Sequence, residues 1–442
     1  MAGLSVVLMS LPTPAGLPVE GQRVLAVAVM AIGLWCTDAI PAAVTGILLV
    51  IALVLTGGVP GFPEALVGFA EPVAYFLVGV LTIGLAVLQS GLAERVALFF
   101  LRQSRGRSRS LYLQMLLSFP LLTLLLPSAT TRTGILVFVY EQALDLGRVP
   151  RGSSFAKAIM LALNSVNRLA STMLLTGGIT PVLAASLIGG ISWGRWFVLM
   201  VVPYSVLLAV GALLIYLLHR RGFDLPLPPV RTGERKPLSG KEIRTLVITI
   251  GASLLWLTDA WHHWNPALPA IMAWACLLTP GIGALTWKEF EKGFGWANFF
   301  VIASSLSLAR ALGSSGASGW IAEVIVQGMP AFSQHPLLIV LVLLLAAAPV
   351  RLLIPNITGF LATTIPIAMS IGEATGISPV ICGLAVMIAG DAVLYYPAQS
   401  ASSLVVYERG HLTAAEIFFS GWGLRLWRMG WGCWLRFPTG PR

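Results

Sequence analysis

Apolar stretches recur along the whole chain, at about 22–40, 42–57, 72–100, 111–126, 134–143, 155–178, 196–218, 244–261, 266–282, 296–312, 336–354, 357–371, 377–396 and 412–424. Short polar or Gly/Pro-rich segments separate them. In hydrocarbon a backbone amide finds no water to pair with, so runs that cross a bilayer must be helices. At roughly 20 residues per crossing, the chain has room for about ten spans.

Two stretches depart from this rhythm. The run 111–125 is roughly 22 Å of helix at 1.5 Å per residue, short of a ~30 Å hydrocarbon core. It meets Pro127-Ser-Ala-Thr-Thr-Arg-Thr-Gly134 before a second apolar run begins. The pattern predicts a re-entrant hairpin over 111–147 with its tip near Ser128–Thr133. Residues 336–372 repeat the pattern around Pro355-Asn-Ile-Thr-Gly359 and predict a second one. Each hairpin is followed by an interrupted run, at Ser171–Gly178 and at Tyr396–Ser403.

Charge supplies the orientation. Arg102, Arg105, Arg107 and Arg109 form one basic loop; Arg148, Arg151 and Lys157 form a second. A third, over 219–241, carries Arg220, Arg221, Arg231, Arg235, Lys236 and Lys241. Short cytoplasmic loops collect Lys and Arg, so the first hairpin is expected to enter from the cytoplasm. The flanks of the second hold no Lys or Arg, so it is expected to enter from the opposite side.

The halves also echo each other. Trp35-Cys-Thr-Asp38 recurs as Trp256-Leu-Thr-Asp259 (259 − 38 = 221), Gly68-Phe69 as Gly293-Phe294, and Pro127 as Pro355 (355 − 127 = 228). The expected fold is an all-α polytopic membrane protein. It is an inverted repeat of about five transmembrane helices each, with two re-entrant hairpins and broken helices. Its parts are a first repeat (1–218), a basic cytoplasmic linker (219–243) and a second repeat (244–442). Inverted repeats with broken helices at the midplane are a pattern of secondary transporters.

Composition agrees. The 442 residues are 57% hydrophobic and 10% charged, with mean hydropathy +0.86. A soluble domain carries about 25% charged residues, so lipid must be the solvent of this one, as a multi-pass protein of the cell membrane. Net charge is +10, but it sits in short loops without aromatic interleaving, which argues against a nucleic-acid partner. Cys36, Cys276, Cys382 and Cys433 are too scattered for a disulfide framework or metal site, and His262-His263 lies in a Trp-rich loop. No H-E-x-x-H, G-x-S-x-G or paired catalytic Asp occurs, so neither catalytic residues nor an enzyme activity is expected. The amino terminus has no basic n-region or A-x-A site and is read as uncleaved. The stretch 423–436 is too rich in Arg and Trp for an ordinary last span.

A helix that stops at mid-membrane exposes unpaired N–H groups and the positive end of its dipole. Such ends suit anionic groups, while carbonyls and hydroxyls suit Na⁺. The candidate substrate-binding residues are Ser128, Ala129, Thr130, Arg132, Asn356, Thr358 and Ser400; candidate Na⁺ ligands are Ser128, Thr130, Ser171, Asn356 and Thr358. Arg132, Arg168, Arg310 and Arg351 fall at membrane depth, where a charge points to function by default. Arg132, at a tip, is the best placed to meet an anion through its guanidinium fork. Asp391 can pair with one of the others. Asp38 and Asp259, at helix ends, are expected to hold the fold.

At PSATTRTG (127–134), PNITG (355–359), Thr37-Asp-Ala-Ile-Pro41 and YERG (407–410) the chain resembles the divalent anion:sodium symporter family, solute carrier family 13. The resemblance implies Ser-Asn-Thr triplets at the tips that bind Na⁺ and substrate carboxylates. It also implies a homodimer in which a transport domain moves against a scaffold in an elevator-type cycle. Here the first triplet keeps Ser128 and Thr130 but has Ala129 for Asn; the second keeps Asn356 but has Pro355 and Ile357. The family's Thr-Pro-Pro-Asn segment corresponds to Ser400–Ser403 without the prolines. These changes remove oxygen ligands from both Na⁺ sites. The expected function is secondary transport of a small divalent anion, dicarboxylate or sulfate. It uses no cofactor, and Na⁺ is the candidate coupling ion. An antiport or efflux relative handling oxyanions or cations is the alternative within transport; a channel and an intramembrane enzyme stand further off.

Overall fold

The computed structural model describes every residue except Met1, Asp38, Arg105, Pro127, Gly190, 225–236, 329–335, Pro355, 393–398 and 422–442. The tip prolines, Asp38, Tyr396–Ala398, Cys433 and the Arg/Trp-rich end therefore lie outside the described residues. Among those described, all regular structure is helical.

The first half runs α1 (Ala2–Ser10), α2 (Val19–Thr37), α3 (Ala42–Leu55), then α4 (Pro72–Ser90) and α5 (Leu92–Gln103). Next come α6 (Ser108–Leu125) and α7 (Ala129–Leu146). An interrupted helix follows: α8 (Ser154–Leu161), a π-helical turn (Ala162–Val166), α9 (Asn167–Thr172), an irregular stretch, and α10 (Ile179–Ile188). The half closes with α11 (Trp193–His219). The second half takes up the same order from its start: α12 (Gly240–Leu257), α13 (Ala267–Leu278), α14 (Trp296–Ser314), α15 (Ala317–Gln327), α16 (Pro336–Leu353), α17 (Ile357–Thr375), α18 (Pro379–Ala392) and α19 (Ala401–Tyr407). The short α20 (Ala414–Gly421) ends the described chain.

Several boundaries differ from the hydropathy reading. The single run 72–100 is two helices, because Gly91 adopts φ +81° between them. That left-handed conformation ends a helix and is open to glycine at no steric cost. Gly316, at φ +75°, stands likewise between α14 and α15, which are bent by 64°. The first hairpin arm begins at Ser108 rather than 111, giving 18 residues and about 27 Å, so its length alone no longer marks it as short. The return of the chain does: Ser108 Oγ donates to Phe223 O at 2.6 Å, and Phe223 packs edge-on against Tyr112 and Phe155. The start of α6 and the start of α8 thus lie on one face, with α6 and α7 out and back between them.

By length and composition, four helices among the described residues can cross a membrane alone: 19–37, 72–90, 193–224 and 357–375. The bent pair α14–α15 makes a fifth. The other apolar helices are shorter, because breaks at Gly and Pro split the runs that hydropathy joins. On α11, Val198, Val202, Val206, Val210 and Leu213 are exposed on one stripe. In water such a stripe would be an aggregation site; in lipid it is an ordinary surface.

The interior links the halves. α10 packs on α17 and α18, while α19 packs on α7, so each interrupted helix leans on the hairpin of the other half. Glycines allow the closest approaches elsewhere: a Cβ on Gly79 of α4 would sit 2.3 Å from Ala270 O of α13, and small residues let helix backbones touch in membranes.

Candidate functional site

Each hairpin tip is a helix start capped by its own first polar residue. Ser128 is the N-cap of α7, and its Oγ accepts from Thr131 N at 3.3 Å and from Thr131 Oγ1 at 3.1 Å. Asn356 is the N-cap of α17, and its Oδ1 accepts from Thr358 N at 2.9 Å and Gly359 N at 3.5 Å. Ser and Asn fill this role because a short side chain can fold back onto the free N–H groups. Ala129 is half-buried beside Ser128, Thr130 is exposed, and Thr358 is buried.

Arg132 lies one turn into α7 and is fully buried. Its Nε donates to Asn167 Oδ1 (2.6 Å) and its Nη1 to Leu126 O (2.9 Å). Its Nη2 donates to Asn167 O (2.8 Å) and Ser171 Oγ (2.6 Å). In this structure the fork is turned into the protein rather than toward an open anion site, and it carries Ser171 and Asn167 with it. All four acceptors are uncharged oxygens, so the charge is solvated by dipoles without being neutralised by them.

Arg351 plays the matching part in the second half. It is 2% exposed, its Nη1 donates to Ile354 O, and its Nε donates to Gly390 O at 3.2 Å. The correspondence extends to backbone positions. Leu126 O and Ile354 O both close the first arm of a hairpin, 228 residues apart (354 − 126), and Asn167 O and Gly390 O lie 223 apart (390 − 167). The same guanidinium job is done by residues at different points of the sequence, one on the returning arm and one on the entering arm. Gln399 Nε2 donates to Arg351 O at 3.0 Å, and Ser400 bonds Ser402 at 2.8 Å, so Ser400 stands on the second tip's side.

Among the described residues no hydrogen bond joins Ser128 to Asn356 directly. The two clamps meet behind them. Arg168, next to Asn167, gives Nη1 to Asp391 Oδ1 at 2.8 Å, and Asp391 is next to Gly390. Thr172 Oγ1 (2.7 Å) and Tyr204 OH (3.1 Å) donate to Asp391 Oδ2. Asp391 is thus the partner of Arg168 rather than of Arg351. Arg310 instead pairs with Glu71 at 2.7 Å near the surface, and Asp259 Oδ2 accepts from Gly194 N at 2.9 Å, a fold-holding contact.

Sequence reading passed over Asn167, Thr172 and Tyr204. Asn164-Ser-Val-Asn167 inside an apolar run was the available signal, and it coincides with the π-helical turn, a distortion frequent at functional sites. The YERG segment also acquires a physical role. Arg409 lies 4.0 Å over the Phe138 ring and 3.6 Å from Glu141 Oε2. Glu141 Oε1 is in turn 3.6 Å from Arg151 and from buried His411, so Glu141 fastens the 408–413 loop to the hairpin.

A model of one known family, described as the sodium:sulfate symporter transmembrane region, matches residues 2–429. The chain is 24% identical to a citrate/succinate antiporter of Escherichia coli K12 over 96% of its own length and 91% of that protein's. It is 23% identical to a putative malate transporter of Bacillus subtilis over 75% and 72%. To the chloroplastic dicarboxylate transporter 1 of Arabidopsis thaliana it is 25% identical over 73% and 60%.

Proposed function

From the premise that this chain belongs to the sodium:sulfate symporter family, we propose that it exchanges small dicarboxylates across the membrane without sodium. It is an integral membrane secondary transporter of small anions and not an enzyme. The relatives that are a citrate/succinate antiporter and a dicarboxylate transporter suggest the substrate class. The anion sits between the tips, against the N-terminal ends of α7 and α17. The residues that hold it are Ser128, Ala129, Thr130, Asn356, Thr358 and Ser400, and Arg132 acts through its charge.

One observation carries the sodium-free part of this reading. At each tip a buried guanidinium takes the last carbonyl of a hairpin arm and a carbonyl of the interrupted helix. Those are oxygens of the kind a bare cation needs. Ser171 Oγ and Asn167 Oδ1 also face Arg132, and the Ser128 and Asn356 side chains cap helices. The residues present therefore fit a fixed organic cation better than a bound Na⁺. An anion between two fixed positive charges needs no co-transported cation to enter, and it must be replaced by another anion for the cycle to close.

In the cycle proposed here, the hairpins and interrupted helices move together as an elevator against α2–α4 and α12–α14, within a homodimer built on an inverted repeat. Support comes from the crossed packing of α10 on α17 and of α19 on α7. At the second tip, a Cβ on Gly359 would stand 2.7 Å from the Trp35 ring of α2, a sliding contact kept thin by glycine. The test is a counterflow assay in proteoliposomes with succinate, malate and sulfate. Exchange that needs internal anion and ignores Na⁺ supports the reading; uptake into empty vesicles driven by a Na⁺ gradient supports sodium symport instead.

A further inference from the structure

The transport reading explains the two arginine clamps but leaves the ion pair between them without a task. Arg168 and Asp391 are 223 residues apart, the same offset that relates the clamp carbonyls Asn167 O and Gly390 O. Each is the immediate neighbour of a clamp acceptor, so the pair ties the back of one half-site to the back of the other. A continuous polar path results: Leu126 O, Arg132, Asn167, then Arg168 and Asp391, then Gly390, Arg351 and Ile354 O.

The environment makes this path stiff. Asp391 is 2% exposed and its carboxylate takes three donors: the arginine, Thr172 and Tyr204. Tyr204 comes from α11, whose far side carries the lipid-facing stripe, and it is fully buried. A buried ion pair is weak evidence for stability as such, because both charges must leave water. Its better-attested use is to fix a register between elements. Gly390 shows how tightly that register is held, since a Cβ there would fall 2.2 Å from the Phe360 ring of α17.

We propose that Arg168 and Asp391 are positioning residues that join the two hairpin tips into one binding unit, so that an anion is gripped by both tips or by neither. The inference rests on the proposed anion site between the tips. It assigns the pair no contact with the substrate. Its signature is energetic coupling between Ser128 and Asn356, which share no direct bond: residues that act through one network are non-additive, and independent ones add.

The experiment is a double-mutant cycle on the purified full-length protein, reading equilibrium binding of succinate. Ser128→Ala, Asn356→Ala and the double variant are compared in the native background and in R168Q/D391N, a neutral pair that leaves no orphaned buried charge. In the native background the double variant's affinity should depart from the product of the single effects by at least about fivefold. In R168Q/D391N the effects should multiply. Should that variant fail to purify as a monodisperse protein, Arg168→Gln takes its place: the Asp391 carboxylate keeps its donors Thr172 and Tyr204, the glutamine amide can donate to the oxygen the arginine leaves, and the ion pair is lost. Equal non-additivity in both backgrounds, or none in either, overturns the joint while leaving anion binding in place. Absence of succinate and sulfate binding to the native protein overturns the transport reading and the joint with it.

Discussion

At the scale of single residues, the polar groups of the tips have two duties at once. Ser128 and Asn356 cap the helices whose N-terminal ends would face the anion. Replacing such a cap by alanine costs about 1 kcal/mol, and here the loss falls on the binding geometry. Ser128→Ala and Asn356→Ala should each weaken succinate binding roughly five- to tenfold with little change in melting temperature, read by calorimetry and thermal unfolding of the same preparation. Gly390 has no such latitude. A methyl group 2.2 Å from Phe360 must push α18 off α17, and overpacking of this kind costs typically 1–3 kcal/mol. Gly390→Ala should therefore lower both melting temperature and uptake. Gly251→Ala, with nothing within 4 Å of the added Cβ, should leave both near native.

At the scale of elements, hydropathy located the apolar runs, and the Pro-Ser and Pro-Asn dipeptides located both helix–break–helix units. It could not locate the kink at Gly91, because glycine in an apolar run reads as tolerated until its φ of +81° is seen. Nor could it locate the clamp partners. Arg132 was legible as a charge in an apolar context, but two of its four acceptors are backbone carbonyls, which carry no sequence signature. Arg351 and Arg132 do the same work from positions that do not align, so a search for repeated motifs passes over the pair. The 408–413 loop offers a test at this scale. Burial holds His411 below its ordinary range against the opposing pull of Glu141, with Arg151, Asp145 and Arg409 nearby. An undocked loop takes its proton at about 6.5 while the docked histidine resists. Docking stability is therefore full above that value and declines as pH falls below it. Trypsin cleavage at Arg409, divided at each pH by the enzyme's rate on an unfolded peptide with the same sequence, should rise between pH 7.5 and 5.5, and His411→Gln should flatten that rise.

At the scale of the molecule, the two halves cross over each other at the interrupted segments, α10 packing on α17 and α19 on α7. A buried positive charge is costly in a low-dielectric interior, and a chain that keeps Arg132 there among neutral oxygens has a standing attraction for an anion. That attraction is the central claim: fixed guanidiniums, rather than bound sodium, make the site ready for a dicarboxylate. Removing one should hurt binding more than removing a surface arginine. Arg132→Ala should reduce succinate uptake at least tenfold at any Na⁺ concentration, whereas Arg310→Ala, at an exposed arginine paired with Glu71, should cost less than twofold.

The most direct measurement is uptake of labelled succinate into proteoliposomes preloaded with unlabelled succinate, with external Na⁺ replaced stepwise by choline. Equal initial rates across the whole replacement, falling to background in vesicles without internal anion, are the predicted result. Rates that rise with Na⁺ and persist in empty vesicles would contradict it.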